Sequence, residues 1–120
     1  MNNETINNMA IKLGSEKRKT IPVFRKNLGK NILGEANMDG SIYIDKSVKP
    51  GSALEKQVIS HEKDHAMRMA SGELSYGDDF VRFRGKTYAR KDGKIKYNGK
   101  WHEEGSMAFP WEQLAKNAEI

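Results

Sequence analysis

The stretch from Pro50 to Gly72, PGSALEKQVISHEKDHAMRMASG, constrains the fold of this chain more than any other. Pro50 and Gly51 end whatever precedes them. Ser52, with Glu55 three residues on, makes a capping box that satisfies amides left bare by the first helical turn. Leu54, Val58, His61, His65 and Met69 then recur at intervals of four, three, four and four, the spacing of one helical face. Gly72 supplies a left-handed stop. The spacing predicts a helix over 53–71 with both histidines on its apolar side, and with Met67 and Met69 as packing residues.

A helix needs something to pack against, and the composition offers little. Of 120 residues 37% are hydrophobic, and the mean hydropathy is −0.80. That is enough for one small domain with a thin core, in which a metal or a partner surface often acts as a staple. Cysteine is absent, so disulfides and thiolate metal sites are excluded, and any metal must be held by His, Asp or Glu. The net charge of +5 suits a nucleic acid or an acidic protein surface without requiring either. The leading MNNETINNMAIKLG has no apolar run of signal-peptide length, and no stretch approaches the length of a membrane span. Cytoplasmic synthesis is the expectation.

The rest of the chain falls into short elements. Residues 1–19 are rich in Asn and Lys and read as a loosely ordered arm with a short helix around 6–13, leaving 20–120 as the single domain. TIPVFRK (20–26) is a β-rich run that Pro22 marks as an edge or a strand start. In GEANMDGSIYID (34–45) a turn at Asp39-Gly40 leads into a strand over 41–45. Residues 80–104 carry turn signals at Arg84-Gly85, Asp92-Gly93 and Asn98-Gly99, and RFRGKTY (82–88) is echoed by KYNGKWH (96–102). They predict an antiparallel meander of about four short strands. Pro110 opens a short C-terminal helix with Glu112 in its first turn, and Trp101 and Trp111 are expected as core anchors.

His61 and His65, four apart on a helix, project from one face and can share a tetrahedral ion; Glu62 would sit beside the open coordination position. The plainer alternative is a pair of half-buried histidines bonded to carbonyls. HEKDH, mid-helix and preceded by the strand SIYID, resembles the H-E-x-x-H motif of the zincin metallopeptidases, in which an edge strand lines the substrate cleft. The resemblance covers about residues 34–72, and a basic meander followed by PWE also resembles small phage-encoded zincin-like proteins, which would allow packaging in a virion. The pattern departs from the metzincins, because Arg68 and Ser71 stand where those have Gly and His.

The resemblance implies an α+β zincin-like domain with a twisted antiparallel sheet, a central H-E-x-x-H helix, a β-meander and a short C-terminal helix. It implies Zn²⁺ as cofactor and hydrolysis of a peptide or amide by metal-activated water, with Glu62 as general base and then acid. The gluzincin-type third ligand is a Glu on a later helix. Glu112 fits best, flanked by Phe109, Pro110 and Trp111; His102, Glu103 and Glu104 are runners-up, and the loop with Glu73, Asp78 and Asp79 could fold back. Tyr76, Tyr88 or His102 could donate to a tetrahedral oxyanion. A non-catalytic structural or binding module of a phage particle or nucleoprotein assembly is the alternative to an enzyme.

Residues 82–100 hold eight Lys or Arg and one acid, Asp92, with Phe83, Tyr88 and Tyr97 interleaved. Such a sheet could lie on a phosphate backbone and stack bases, or dock on an acidic protein surface. It could equally be a solvated outer face whose aromatics turn to the core.

Overall fold

The computed structural model describes residues 21–119 and the backbone of two further strands, β1 (Ile11–Lys12) and β2 (Arg18–Lys19), which pair antiparallel. Ile11 and Lys12 are thus extended, not helical; the rest of the helix expected over 6–13 lies outside the described residues. The order that follows is β3 (Val23–Lys26), β4 (Gly34–Ala36), β5 (Ile42–Asp45), α1 (Ala53–Ser71), β6 (Leu74–Tyr76), β7 (Phe80–Phe83), β8 (Lys86–Lys91), β9 (Lys94–Tyr97), β10 (Lys100–Glu103) and α2 (Pro110–Asn117). The architecture is α+β: α1 and α2 with a three-stranded mixed sheet and a five-stranded antiparallel sheet. No helix among the described residues is long and apolar enough to cross a membrane.

The first sheet, ordered β3-β5-β4, differs from the expected antiparallel one, because β3 runs parallel to β5. Pro22 directly precedes β3, which is an edge strand, as a residue without an amide donor requires. SIYID is not an edge strand: β5 is the middle of the three, and Ile42 and Ile44 are fully buried. The edge on the other side is β4, a strand not expected from the sequence. The Asp39-Gly40 turn closes the β4–β5 hairpin. Asp39 accepts from the Ser41 amide at 2.9 Å, and Gly40 takes φ +92°.

Helix α1 begins and ends where its sequence dictates. The Glu55 amide donates to Ser52 Oγ at 3.1 Å, and the Glu55 carboxylate accepts from the Gly51 amide at 2.9 Å. Gly72 closes the helix at φ +85°. Glu55 also pairs with Arg25 of β3, tying the first turn to the sheet.

Two small cores flank this helix. On one side Ile21, Ile42, Ile44 and Val48 meet Val58 and Ile59 of α1. On the other, Leu74, Val81, Phe83 and Ile95 of the five-stranded sheet meet Phe109 and Trp111, with Met69 of α1 packed against them. Trp111 and Phe109 are fully buried and stack at 4.8 Å between centroids. Each such burial contributes on the order of 2–3 kcal/mol of hydrophobic transfer, which fixes the start of α2. Met67 is exposed, against expectation, because it lies on the opposite face of α1 from Met69. Trp101 is also exposed, on the outer face of β10, so only one of the two tryptophans anchors the core.

The meander has five strands, ordered β10-β9-β8-β7-β6; the added one, Leu74–Tyr76, follows Gly72 almost at once. Its last three hairpins have two-residue loops at 84–85, 92–93 and 98–99. Arg84, Asp92 and Asn98 have φ of 51° to 54°, and the glycine after each is also positive, the geometry of type I′ turns.

Candidate metal centre

Both helices deliver side chains to one point. His61 and His65 are one turn apart on α1, and α2, pinned by Trp111 and Phe109, turns Glu112 toward them. The Glu112 carboxylate spans the two rings. Oε1 lies 2.8 Å from His61 Nε2, and Oε2 lies 3.1 Å from His65 Nε2. His65 and Glu112 are buried and His61 is half-buried. The ligand atoms of the three lie within 4.8 Å of one another.

Electrostatics follow from this arrangement. Burial pushes Glu112 up, but hydrogen bonds from His61 and His65 outweigh it and leave the carboxyl at about 2. A carboxylate only accepts, so both ring nitrogens that face one must donate. His61 meets two: Glu112 at Nε2 and Glu119 at Nδ1, the latter at 2.8 Å. Burial favours its neutral form, yet these two bonds hold it as a cation up to about 9. Glu62 is the opposite case: desolvation dominates and raises its carboxyl to about 7, opposed by the nearby histidines. Its buried place comes from β4, which approaches so closely that a Cβ on Gly34 would lie 2.9 Å from Glu62 Cγ.

The residues fit a divalent metal. Two imidazole nitrogens and one carboxylate form a three-donor set suited to Zn²⁺ with a position left open. In a tetrahedral site with bonds of about 2.0–2.1 Å, neighbouring donors lie about 3.3 Å apart, a few tenths more than the contacts seen here. Glu119, on Nδ1 of His61, orients the ring as carboxylates commonly do behind a metal-bound histidine. His65 has no such support: its Nδ1 is buried without a partner among the described residues.

A cleft of about 730 Å³ opens over the cluster, bounded by β4, by α1 and by Tyr76, Arg90 and Glu104 from the meander side. Tyr76 is therefore the sequence-predicted oxyanion donor that the structure brings to the cleft; burial raises its pKa. Tyr88 instead packs on Trp111 and Tyr97, and His102 stands edge-on to Phe109. The other runner-up ligands are engaged elsewhere. Glu103 is exposed near Lys94, Glu104 pairs with Arg90 at 2.8 Å, and Glu73 pairs with Arg68 and Arg84. Asp78 lines the cleft, but neither it nor Asp79 belongs to the three-donor group.

Glu119, Gly34 and the Arg90–Glu104 pair escaped the sequence reading. Glu119 lies just past the end of α2, so no helical periodicity points to it. Comparisons with protein-family models, with curated proteins and with solved structures give no match.

Proposed function

We propose that the protein is a zinc-dependent metallopeptidase. The observation that carries this reading is the meeting of Glu112 with both histidine Nε2 atoms beside a buried Glu62, at the floor of an open cleft. His61, His65 and Glu112 would hold the ion, and Glu119 would keep His61 turned toward it. Zinc supplies Lewis-acid activation of water and of a substrate carbonyl.

The chain's own residues do the rest. Glu62 would take a proton from the attacking water and return it to the leaving nitrogen; its desolvated place beside the two histidines suits a carboxylate to both transfers. The Tyr76 hydroxyl donates to the oxyanion that develops on the substrate. The edge of β4 beside the cleft, which among the described residues pairs only with β5, offers backbone groups to an extended peptide.

Glu62→Gln tests the reading. The variant keeps size and removes only the carboxylate charge, so it should bind zinc and melt no lower than the wild type. Hydrolysis of a broad peptide library by the zinc-loaded wild type should vanish in it. A zinc-loaded wild type that cleaves nothing in the library would leave a non-catalytic, metal-stapled module as the better account.

A further inference from the structure

We propose that the outer face of the five-stranded sheet binds single-stranded nucleic acid. The meander's interleaved aromatics do not carry this: Phe83 is buried, and Tyr88 and Tyr97 pack against the core on the inner face. The residue that carries it is Trp101, at 45% exposure. The strand register sets Trp101 beside Lys96, Lys94 beside Lys91, and Arg82 beside Thr87. Alternation turns all of these away from Val81, Ile95 and Tyr97, and all of them are exposed.

The face is electrostatically uncompensated. Its ladder holds one acid, Glu103, 3.9 Å from Lys94, while Arg82, Lys91 and Lys96 have no carboxylate partner among the described residues. A row of cations suits any polyanion, but an exposed indole among them adds a flat surface on which a base can stack. A duplex hides its base faces, and an acidic peptide has none. Single-stranded nucleic acid therefore satisfies both features at once. The surface is separate from the cleft, whose meander-side walls, Tyr76 and Arg90, pack or point inward.

The two tryptophans make the test direct, because Trp111 is fully buried and Trp101 reports contact at the surface. Full-length protein is titrated at low salt with a short oligodeoxythymidylate while tryptophan emission is followed, and the anisotropy of an end-labelled copy of the same oligonucleotide reads the affinity of every variant, including the one that lacks Trp101. Quenching is expected, with a log–log salt slope of roughly −2 to −3 for three or four phosphate contacts. Trp101→Ala should weaken binding about tenfold and leave the slope unchanged. Lys94→Gln with Lys96→Gln should make the slope shallower by roughly 1 to 1.5. All side chains concerned are exposed, so melting should not change. Absence of quenching, wild-type affinity in Trp101→Ala, or equally tight binding of polyglutamate would overturn the proposal, the last in favour of an acidic protein partner.

Discussion

Gly34→Ala gives a quantitative test of how the helix and the β4 edge are fitted together. Gly34 lies in β4 directly under α1, and its backbone is not in the left-handed region, so the glycine is there for space. An added methyl carbon would sit 2.6 Å from Val58 Cγ1, 2.9 Å from Glu62 Cγ and 3.0 Å from Glu62 Oε2. Carbon pairs rest at about 3.5–4.0 Å, so strand and helix must separate by roughly 1 Å, or both side chains must leave their rotamers. Overpacking of this kind costs about 1–3 kcal/mol. The gain from replacing a strand glycine, about 0.5–1 kcal/mol, offsets part of it.

A net loss of about 1–2 kcal/mol lowers the melting temperature of a domain this size by roughly 4–10 °C. Calorimetry or circular dichroism measures the shift. The added methyl presses on the side chain of Glu62 and not on the histidines, so hydrolysis should fall by more than zinc affinity does. A variant that melts at or above the wild-type temperature with unchanged hydrolysis would refute the close packing of β4 on Glu62.

Three further outcomes follow from the cluster. In the metal-free protein, Glu112 contributes stability that is present above 4.5 and lost as pH falls through about 2. The raised carboxyl of Glu62 makes stability decline from 4.5 to about 7, and His61 contributes stability that is full below 6.5 and lost as pH rises through about 9. Urea midpoints of metal-free protein should therefore peak near pH 4.5 and fall toward pH 9, whereas the zinc-dependent increment should grow with pH because the ion displaces protons from the histidines. Glu119→Ala should weaken zinc binding about 10–100-fold without abolishing it, as measured by competition with a chelating dye. Removing zinc with a chelator should lower the melting temperature by several degrees.

What the sequence revealed depended on how local the signal was. Ser52, Glu55 and Gly72 act within a turn of themselves, and the bounds of α1 agree with them to the residue. The three two-residue hairpin loops declared themselves through Arg84-Gly85, Asp92-Gly93 and Asn98-Gly99. The placing of Glu112 against the histidines required two inferences, a helix after Pro110 and a hydrophobic anchor beside it, and both residues are where those inferences put them.

Nonlocal relations were not legible. Nothing in TIPVFRK says that it will pair parallel to SIYID with another strand inserted on the far side. A three-residue strand such as Gly34–Ala36 is too short to show alternation. Trp101 shows the limit of composition: one step of strand register decides whether an indole faces core or solvent, and its partner Lys96 lies on the solvent side.

Metal content tests the central claim most directly. Protein purified without added zinc, and again after brief incubation with it, is analysed for metal alongside His61→Ala, Glu112→Ala and His102→Ala. The wild type and His102→Ala should carry about one zinc per chain, and His61→Ala and Glu112→Ala should lose it, as removal of one of three protein ligands requires. A wild type that takes up no zinc, or a Glu112→Ala variant that keeps a full equivalent, would contradict the account.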